Sequence, residues 1–265
     1  MTRRSRRYLL HLSAAILGCL IVGAAARPSP AVAQAPPPPI YVALGDSIEF
    51  GLGDNIVADG IGYTPLFQTF LSTAFQRPVQ LLNLGVPFAT TRDIWQDELP
   101  AALAALQGRA PVVVTWGGGG NDLAEVVTGP QAAACRQIQS CLGRINGLLN
   151  GVEQTIDHTI AQLRQAIGPN GHLLMRTQYN ALLRTGCQTP ANILLGTIVL
   201  EGAPGTVLDR GLNTRIRALA QKYNASVIDL FLPFAANANT FIAADCIHPS
   251  GLGYQAIAAL AAQAF

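Results

Sequence analysis

Short apolar, partly β-branched runs alternate along residues 40–265 with longer segments of helical periodicity. This alternation constrains the fold most, because it is typical of βα units that build a parallel sheet covered by helices. We expect strands at Ile40–Leu44, Gln80–Leu84, Pro111–Trp116, His172–Thr177 and Ser226–Leu230. We expect helices at Tyr63–Phe75, Arg92–Gln107, Ile145–Ile167, Thr206–Tyr223 and Gly253–Ala262. The sequence therefore predicts one α/β domain without internal repeats.

The first 33 residues differ in composition from the rest of the chain. They contain five arginines and no acid, and they continue into the apolar run Leu12–Ala26 and a small-residue triplet at 31–33. This order is typical of a secretory signal peptide cleaved near Ala33. The Ser-Arg-Arg sequence at 5–7 also resembles a twin-arginine signal, so both export routes stay open. A spanning helix needs about 20 apolar residues, and we expect a secreted or extracytoplasmic protein with no stable membrane anchor.

The positive net charge of the chain belongs to this leader. The whole sequence carries 17 Lys and Arg against 15 Asp and Glu, but residues 34–265 hold only 12 of the basic residues and all 15 acids, a net charge of −3. A slightly acidic domain gives no reason to expect a nucleic-acid partner. Residues 34–39 end in four consecutive prolines, which predicts an extended tether before a folded domain at 40–265.

Four cysteines remain beyond the leader, namely Cys135, Cys141, Cys187 and Cys246. In an oxidising compartment an even number of cysteines favours disulfides. Three pairings are possible, and proximity in sequence favours Cys135 with Cys141, which leaves Cys187 with Cys246. No C-x-x-C motif occurs, and His248, two residues after Cys246, has no second cysteine or histidine near it, so we expect no metal site.

Candidate catalytic residues follow the predicted strands, where parallel sheets bind their ligands. A Gly-Asp-Ser tripeptide ending at Ser47 follows the first strand, and His248 lies in a loop before the last helix. An Asp three residues before a His can reach its Nδ1 and orient the ring as a general base, as Asp245 could for His248. His158 and His172 are expected to be structural. The G-x-S-x-G elbow of α/β-hydrolases is absent.

Four short blocks occur in a fixed order across the folded domain. They are Gly45-Asp46-Ser47, Asn83-Leu84-Gly85, Gly119-Gly120-Asn121-Asp122 and Asp245-Cys246-Ile247-His248. One Gly-Asp-Ser alone is weak evidence, but the set, placed as it is after predicted strands, resembles the GDSL-type lipases and esterases, also called SGNH hydrolases. The resemblance implies a three-layer α/β/α sandwich with a flavodoxin-like parallel sheet of about five strands.

The same resemblance implies a role for each matched residue. Ser47 would be the nucleophile, His248 the general base and then acid, and Asp245 its orienter. The oxyanion would be held by the N–H groups of Ser47 and Gly85 and by the side-chain amide of Asn121. The chain would be a secreted serine esterase or lipase that acts on a small-molecule, lipid or glycan ester through an acyl-enzyme, without a cofactor. An acyltransferase using the same serine and an inactive carbohydrate- or lipid-binding module remain alternatives.

The sequence leaves the roles of two segments open. Relatives often have a further small residue shortly after the glycine of the second block, whereas Val86-Pro87-Phe88 follows here, and Phe88 would either wall an acyl pocket or pack in the core. The apolar connection Tyr179–Gly205 is longer than usual. It would form an acyl-chain wall, a short accessory helix on the core, or both, and a Cys187–Cys246 disulfide would hold it beside Asp245 and His248.

Overall fold

The central sheet consists of five parallel strands in the order β2-β1-β3-β4-β5. Their bounds are Ile40–Leu44 (β1), Gln80–Asn83 (β2), Val112–Gly117 (β3), His172–Arg176 (β4) and Ser226–Ile228 (β5). Strands β1 and β3 are buried along their whole length, as expected of central strands with helices on both faces. The predicted α/β fold with a flavodoxin-like parallel sheet is confirmed.

This computed structural model describes residues 37–53, 62–128, 138–187 and 190–265. The predicted leader at 1–33, the first half of the tether and Cys135 lie outside the described residues. The described residues all belong to one unit that begins at Pro37. Within these ranges, no helix combines the length and apolarity that crossing a bilayer would require.

Helices connect the strands, and they cover both faces of the sheet. Helix α3 runs without interruption through Thr91–Asp93, a π-helical segment Ile94–Glu98 and Leu99–Leu106. The other helices are α1 (Ser47–Phe50), α2 (Tyr63–Ala74), α4 (Gly120–Thr128), α5 (Ile138–Ile167), α6 (Pro190–Glu201), α7 (Leu212–Lys222), α8 (Phe231–Ala236), α9 (Ala238–Phe241) and α10 (Gly251–Ala264).

Alternate side chains of the central strands enter two separate cores, because successive strand residues point to opposite faces. Val42 and Leu44 belong to a core shared with residues of α3, α5, α6 and α7. Tyr41 and Ala43 belong to a second core shared with residues of α2, α8 and α10. The sheet is therefore the middle layer of an α/β/α sandwich, and its carboxyl edge is left to the connecting turns.

The structure resolves the alternatives for the Tyr179–Gly205 connection in part. It contains α6, and the side chains of Val199 and Leu200 near the end of that helix are buried in the first core. The accessory-helix alternative is confirmed. Helix α7 begins at Leu212, later than the predicted Thr206, because the residues before Gly211 form hydrogen-bonded turns rather than a first helical turn.

Candidate active site

Ser47 opens the short helix α1 immediately after β1. Asp46 caps this helix: its Oδ1 accepts the N–H of Ile48 at 2.9 Å, and its own N–H donates to Glu49 Oε2 at 3.1 Å. A Cβ added to Gly45 would lie 2.5 Å from the carbonyl oxygen of Gly117 and closer still to the Glu49 carboxylate. Only glycine therefore lets the chain turn from strand into helix at this place.

His248 and Asp245 approach Ser47 from the loop before α10. His248 Nε2 lies 3.0 Å from Ser47 Oγ, and Nδ1 of the same ring lies 2.6 Å from Asp245 Oδ2. The other oxygen of Asp245 accepts the N–H groups of Ile247 and His248, each at 2.9 Å. With Nδ1–H donating to Asp245, Nε2 is free to accept the hydroxyl hydrogen of Ser47. The three residues expected to form a triad are thus connected in series.

Contacts from outside the loop hold it over the sheet edge. The N–H of Ala243 donates to the carbonyl of His248 at 2.8 Å, and the hydroxyl of Tyr179 donates to the carbonyl of Ile247 at 2.6 Å. A disulfide joins Cys246 to Cys187 with Cα atoms 5.6 Å apart. Residues 245–248 are therefore anchored to the segment that follows β4.

The second expected disulfide can be described only at one end. Cys141, on α5, is disulfide-bonded and almost completely buried. Cys135, the partner predicted for it, lies outside the described residues. The pairing of these two cysteines stays a prediction.

Besides Ser47, the two residues expected to hold an oxyanion, Gly85 and Asn121, follow β2 and β3. Asn121, in the first turn of α4, donates through Nδ2 to the carbonyl of Ala89 at 2.9 Å. Gly85 lies so close to α1 that a Cβ on it would be 2.6 Å from the backbone nitrogen of Phe50. Its N–H donates to Asn83 Oδ1 at 3.1 Å. This loop therefore lies against α1, the helix that Ser47 opens, but the Gly85 N–H already has an acceptor.

The turn between Gly85 and α3 takes an unusual backbone path. Phe88 has a φ of 69°, a conformation that favours glycine, and its side chain is 76% exposed. Core packing, one of the two roles expected for Phe88, is therefore wrong. Pro87 has no N–H, and the next N–H groups are engaged: Val86 donates to the Gly45 carbonyl and Ala89 to the Val86 carbonyl.

A buried ionic cluster that the sequence analysis did not predict lies next to Ser47. Arg176, at the end of β4, donates from Nε to Glu49 Oε1 at 2.7 Å and from Nη2 to Glu49 Oε2 at 2.9 Å. Nη2 also reaches Asp46 Oδ1 at 3.3 Å. The hydroxyl of Tyr63 donates to Glu49 Oε1 at 3.1 Å. Glu49 and Arg176 are both fully buried.

Two carboxyl groups beside Gly45 differ from ordinary surface acids. Burial raises the pKa of Asp46 to about 7, although the Arg176 guanidinium opposes the shift. Burial also raises the pKa of Glu98, on α3, to about 8, and its hydrogen bond from the Gly45 N–H opposes that shift. Arg176 thus neutralises Asp46 and Glu49, while Glu98 contacts the same turn through Gly45. Strongly shifted pKa values of this kind accompany functional sites.

The other two histidines of the described residues lie away from Ser47. His172 opens β4 at the amino edge of the sheet, with its ring centroid 4.5 Å from that of Phe265. His158 lies on α5, where Nδ1 is 2.8 Å from the carbonyl oxygen of Gln154. Among the described residues, no three His, Cys, Asp or Glu side chains cluster in a way that could hold a metal ion.

A comparison with protein families identifies the family to which this chain belongs. The model of the GDSL-like lipase/acylhydrolase family matches residues 43–256, a range that includes all four sequence blocks. The chain belongs to the GDSL-like lipase/acylhydrolase family. As a member of this family it is a hydrolase of ester substrates. Among curated proteins, no match was found.

Solved structures of esterases and lipases share the fold of this family member. The lipase Lip_vut3 from a goat rumen metagenome superposes with a TM-score of 0.62 at 17% identity, over 85% of this chain and 96% of that one. The acetylxylan esterase Axe2 from Geobacillus stearothermophilus gives a TM-score of 0.58 at 15% identity, over 86% and 94%. The α/β hydrolase LAE5 from the Lake Arreo metagenome gives 0.57 at 18%, over 87% and 95%. At such low identity the likeness establishes the fold.

Proposed function

We propose that this chain is a serine esterase that hydrolyses carboxylic esters through an acyl-enzyme on Ser47. The observation that carries the proposal is the 3.0 Å contact between Ser47 Oγ and His248 Nε2, with Asp245 bound to the other ring nitrogen. A hydroxyl nucleophile needs an adjacent base, and the base needs an orienting partner. An inactive binding module has no comparable need for this chain of three groups.

The reaction proceeds in two steps on this framework. Ser47 Oγ attacks the ester carbonyl carbon while its proton passes to His248 Nε2, and Asp245 stabilises the resulting imidazolium. The alcohol then leaves with that proton, and the acyl group remains on Ser47. Water attacks the acyl-enzyme with His248 again taking a proton, which releases the acid and restores the serine.

Backbone hydrogen bonding indicates which donors are free for the oxyanion. Of the N–H groups around the nucleophile, those of Gly45, Asp46 and Ile48 are engaged by carboxylates, whereas the N–H of Ser47 meets no acceptor among the described residues. Asn121 uses one amide hydrogen on Ala89, which leaves the second. We propose that Ser47 and Asn121 both donate to the oxyanion.

A third donor would come from the loop after β2. Gly85, the residue expected from the sequence, would have to release Asn83 Oδ1 before serving. The N–H of Phe88 has no acceptor within the described part of the chain, and Phe88 is next to Ala89, which Asn121 contacts. This N–H therefore joins those of Ser47 and Asn121 in the proposed oxyanion hole, and Gly85 keeps the loop close to α1.

A relative supports the assignment of the base and its orienter. Two solved structures of the acetylxylan esterase Axe2 are described as catalytic mutants, one changed at a histidine and the other at an aspartate three positions before it. Asp245 and His248 have the same spacing. We extend to this chain only the roles of the two residues and not the acetylxylan substrate.

We also propose that the protein acts outside the cytoplasm after losing residues 1–33. The support comes from the arginine-rich, apolar leader and from the disulfide between Cys187 and Cys246. Disulfides persist in oxidising compartments and are rare in the cytosol. N-terminal sequencing of the exported protein should begin near Gln34, and a protein that keeps its first 33 residues would contradict the proposal.

Turnover of p-nitrophenyl esters of increasing acyl length tests the proposed activity. We expect the protein to release p-nitrophenol from at least one ester. Ser47→Ala should lower kcat by about 10⁴-fold or more, because the nucleophile is lost while binding remains. Ser226→Ala, which removes an exposed serine at the start of β5, serves as the matched control and should leave kcat unchanged. Equal turnover by wild type and Ser47→Ala would overturn the proposal.

A further inference from the structure

Glu98 contacts the turn Gly45–Ile48, called here the nucleophile turn, from another layer of the domain. It lies in the π-helical segment of α3, and its Oε2 accepts the N–H of Gly45 at 2.8 Å, 53 positions away in the chain. The residue is only 5% exposed, and its Oε1 has no hydrogen-bond partner among the described residues. Leaving a buried carboxyl oxygen unpaired is costly, and core packing alone gives no reason for it.

The contact made by Glu98 completes a set of carboxyl acceptors around Ser47. Glu98 takes the N–H of Gly45, Glu49 takes that of Asp46, and Asp46 takes that of Ile48. Each peptide on either side of the nucleophile therefore has a fixed orientation. The N–H of Ser47 is left without an acceptor among the described residues, and its Oγ is left to His248.

We propose that Glu98 is a positioning residue that holds the Gly45 peptide, and through it Ser47, in the orientation needed for attack and for oxyanion binding. The inference rests on the proposed esterase function. Glu98 acts through Gly45 and Ser47 and does not itself touch the reacting atoms. Displacing a catalytic group by about 1 Å can cost about 10²-fold in rate, so a small shift of this turn would be visible in kcat.

The protonation state of the Glu98 carboxyl group suggests how an experiment can distinguish its positioning effect from an effect of its charge. Burial raises the pKa of Glu98 to about 8, and the nearby carboxylates of Glu49, Asp46 and Asp93 raise it further, against the Gly45 N–H. At pH 7 the group is therefore mostly neutral. Glutamine reproduces its size, its neutrality and its acceptor oxygen, whereas alanine removes the acceptor.

The test measures kcat and KM separately at pH 7 for wild type, Glu98→Gln, Glu98→Ala and Glu98→Asp on the best p-nitrophenyl ester. We expect Glu98→Ala and Glu98→Asp, which loses the reach to Gly45, to lower kcat by about 10- to 100-fold while KM changes less than about threefold. Glu98→Gln should keep kcat within about threefold of wild type. Glu153→Ala removes a carboxylate of α5 that pairs with Arg210 and Arg215. It controls for the loss of a structural acid and should leave kcat unchanged.

The outcomes separate this inference from the proposed function. If wild type and Ser47→Ala are equally active, the proposed function fails. If Ser47→Ala is inactive but the folded fraction of Glu98→Ala has the wild-type kcat, Glu98 has a structural role only and the positioning inference is overturned. A Glu98→Gln protein as impaired as Glu98→Ala would also overturn it. If Glu98→Ala does not fold, Glu98→Asp decides in the same way.

Discussion

The nucleophile turn and the histidine loop, residues 245–248, are joined by the hydrogen bond between Ser47 and His248. Different contacts hold each of them in place. Ser47 is 7% exposed and is supported by the fully buried pair Glu49 and Arg176, which are 127 positions apart in the chain. The Asp245 side chain is 38% exposed and bonds to a histidine three residues away. The position of the proposed nucleophile is thus a property of the whole domain, whereas that of the proposed base depends on a short loop and its disulfide.

The pKa values of the carboxyl groups in the two regions are also shifted in opposite directions. In the nucleophile turn, burial raises the pKa values of Asp46 and Glu98 to about 7 and about 8. In the loop, partial burial would raise the pKa of Asp245, but the N–H groups of His248 and Ile247 and the His248 ring outweigh it and lower that pKa. Asp245 therefore stabilises the fold above its unfolded pKa near 4 and loses this effect on acidification.

After Ser47→Ala, the largest effect is expected on the loop side of the comparison, from His248→Ala. This change removes the base from the contact with Ser47 and should lower kcat by about 10³-fold or more. His158→Ala, on α5, removes a histidine bound to its own helix and should leave kcat unchanged. Steady-state kinetics of the two variants provide the test, and a His248→Ala enzyme within tenfold of wild type would contradict the assigned base.

A smaller loss is expected from the oxyanion side, which belongs to the rigid framework of the nucleophile. Asn121→Ala should lower kcat by about 10²–10³-fold with little change in KM, because the proposed role of this amide is to stabilise charge that develops only in the transition state. Asn121→Asp has nearly the same shape but replaces the donor with an acceptor, so it should be at least as damaging. Near-wild-type kcat in Asn121→Asp would exclude Asn121 as a donor.

Removing the disulfide tests whether the loop depends on its anchor. The Cys187–Cys246 bond spans 59 positions, for which loop-closure entropy gives a stabilisation of about 4 kcal/mol. The Cys187→Ser, Cys246→Ser double variant should lose about that much free energy of unfolding in urea titrations. Its kcat should fall several-fold, because Asp245 and His248 flank position 246. Unchanged kcat would show that Tyr179 and the local turn suffice to position the loop.

The smallest effect is a pH-dependent shift in stability from Glu98. A carboxyl whose pKa is higher in the folded state stabilises the fold most below its unfolded pKa near 4, and this contribution is lost as the pH rises through about 8. Glu98→Gln lacks the titration. The Tm of wild type minus that of Glu98→Gln should therefore fall by a few degrees between pH 5 and pH 9. A constant difference would mean that Glu98 titrates normally.

The sequence predicted the sheet well because its signals are local. Each strand is a short apolar run, and all five appear within a few residues of their expected bounds. Asp245 and His248 could be paired from their spacing, because a turn of four residues brings one to the other. Ser47 and Asn121 follow strands β1 and β3, so the parallel topology itself brings their turns to one edge.

The sequence could not predict the supports of the nucleophile. Glu98 and Arg176 contact the turn across 53 and 127 positions, and neither lies in a motif. An arginine at the end of an otherwise apolar strand was the one available signal. The Phe88 N–H, which meets no acceptor among the described residues, could not be predicted either. A positive φ at a phenylalanine runs against its backbone preference and is imposed by the surrounding loop.

Labelling with a fluorophosphonate probe tests the central claim, that His248 activates Ser47 as the nucleophile, most directly. The account predicts one covalent adduct, located on Ser47 by peptide mass spectrometry, which is absent from Ser47→Ala and forms far more slowly in His248→Ala. An adduct on another residue, or an unlabelled Ser47 in a folded and active protein, would contradict it.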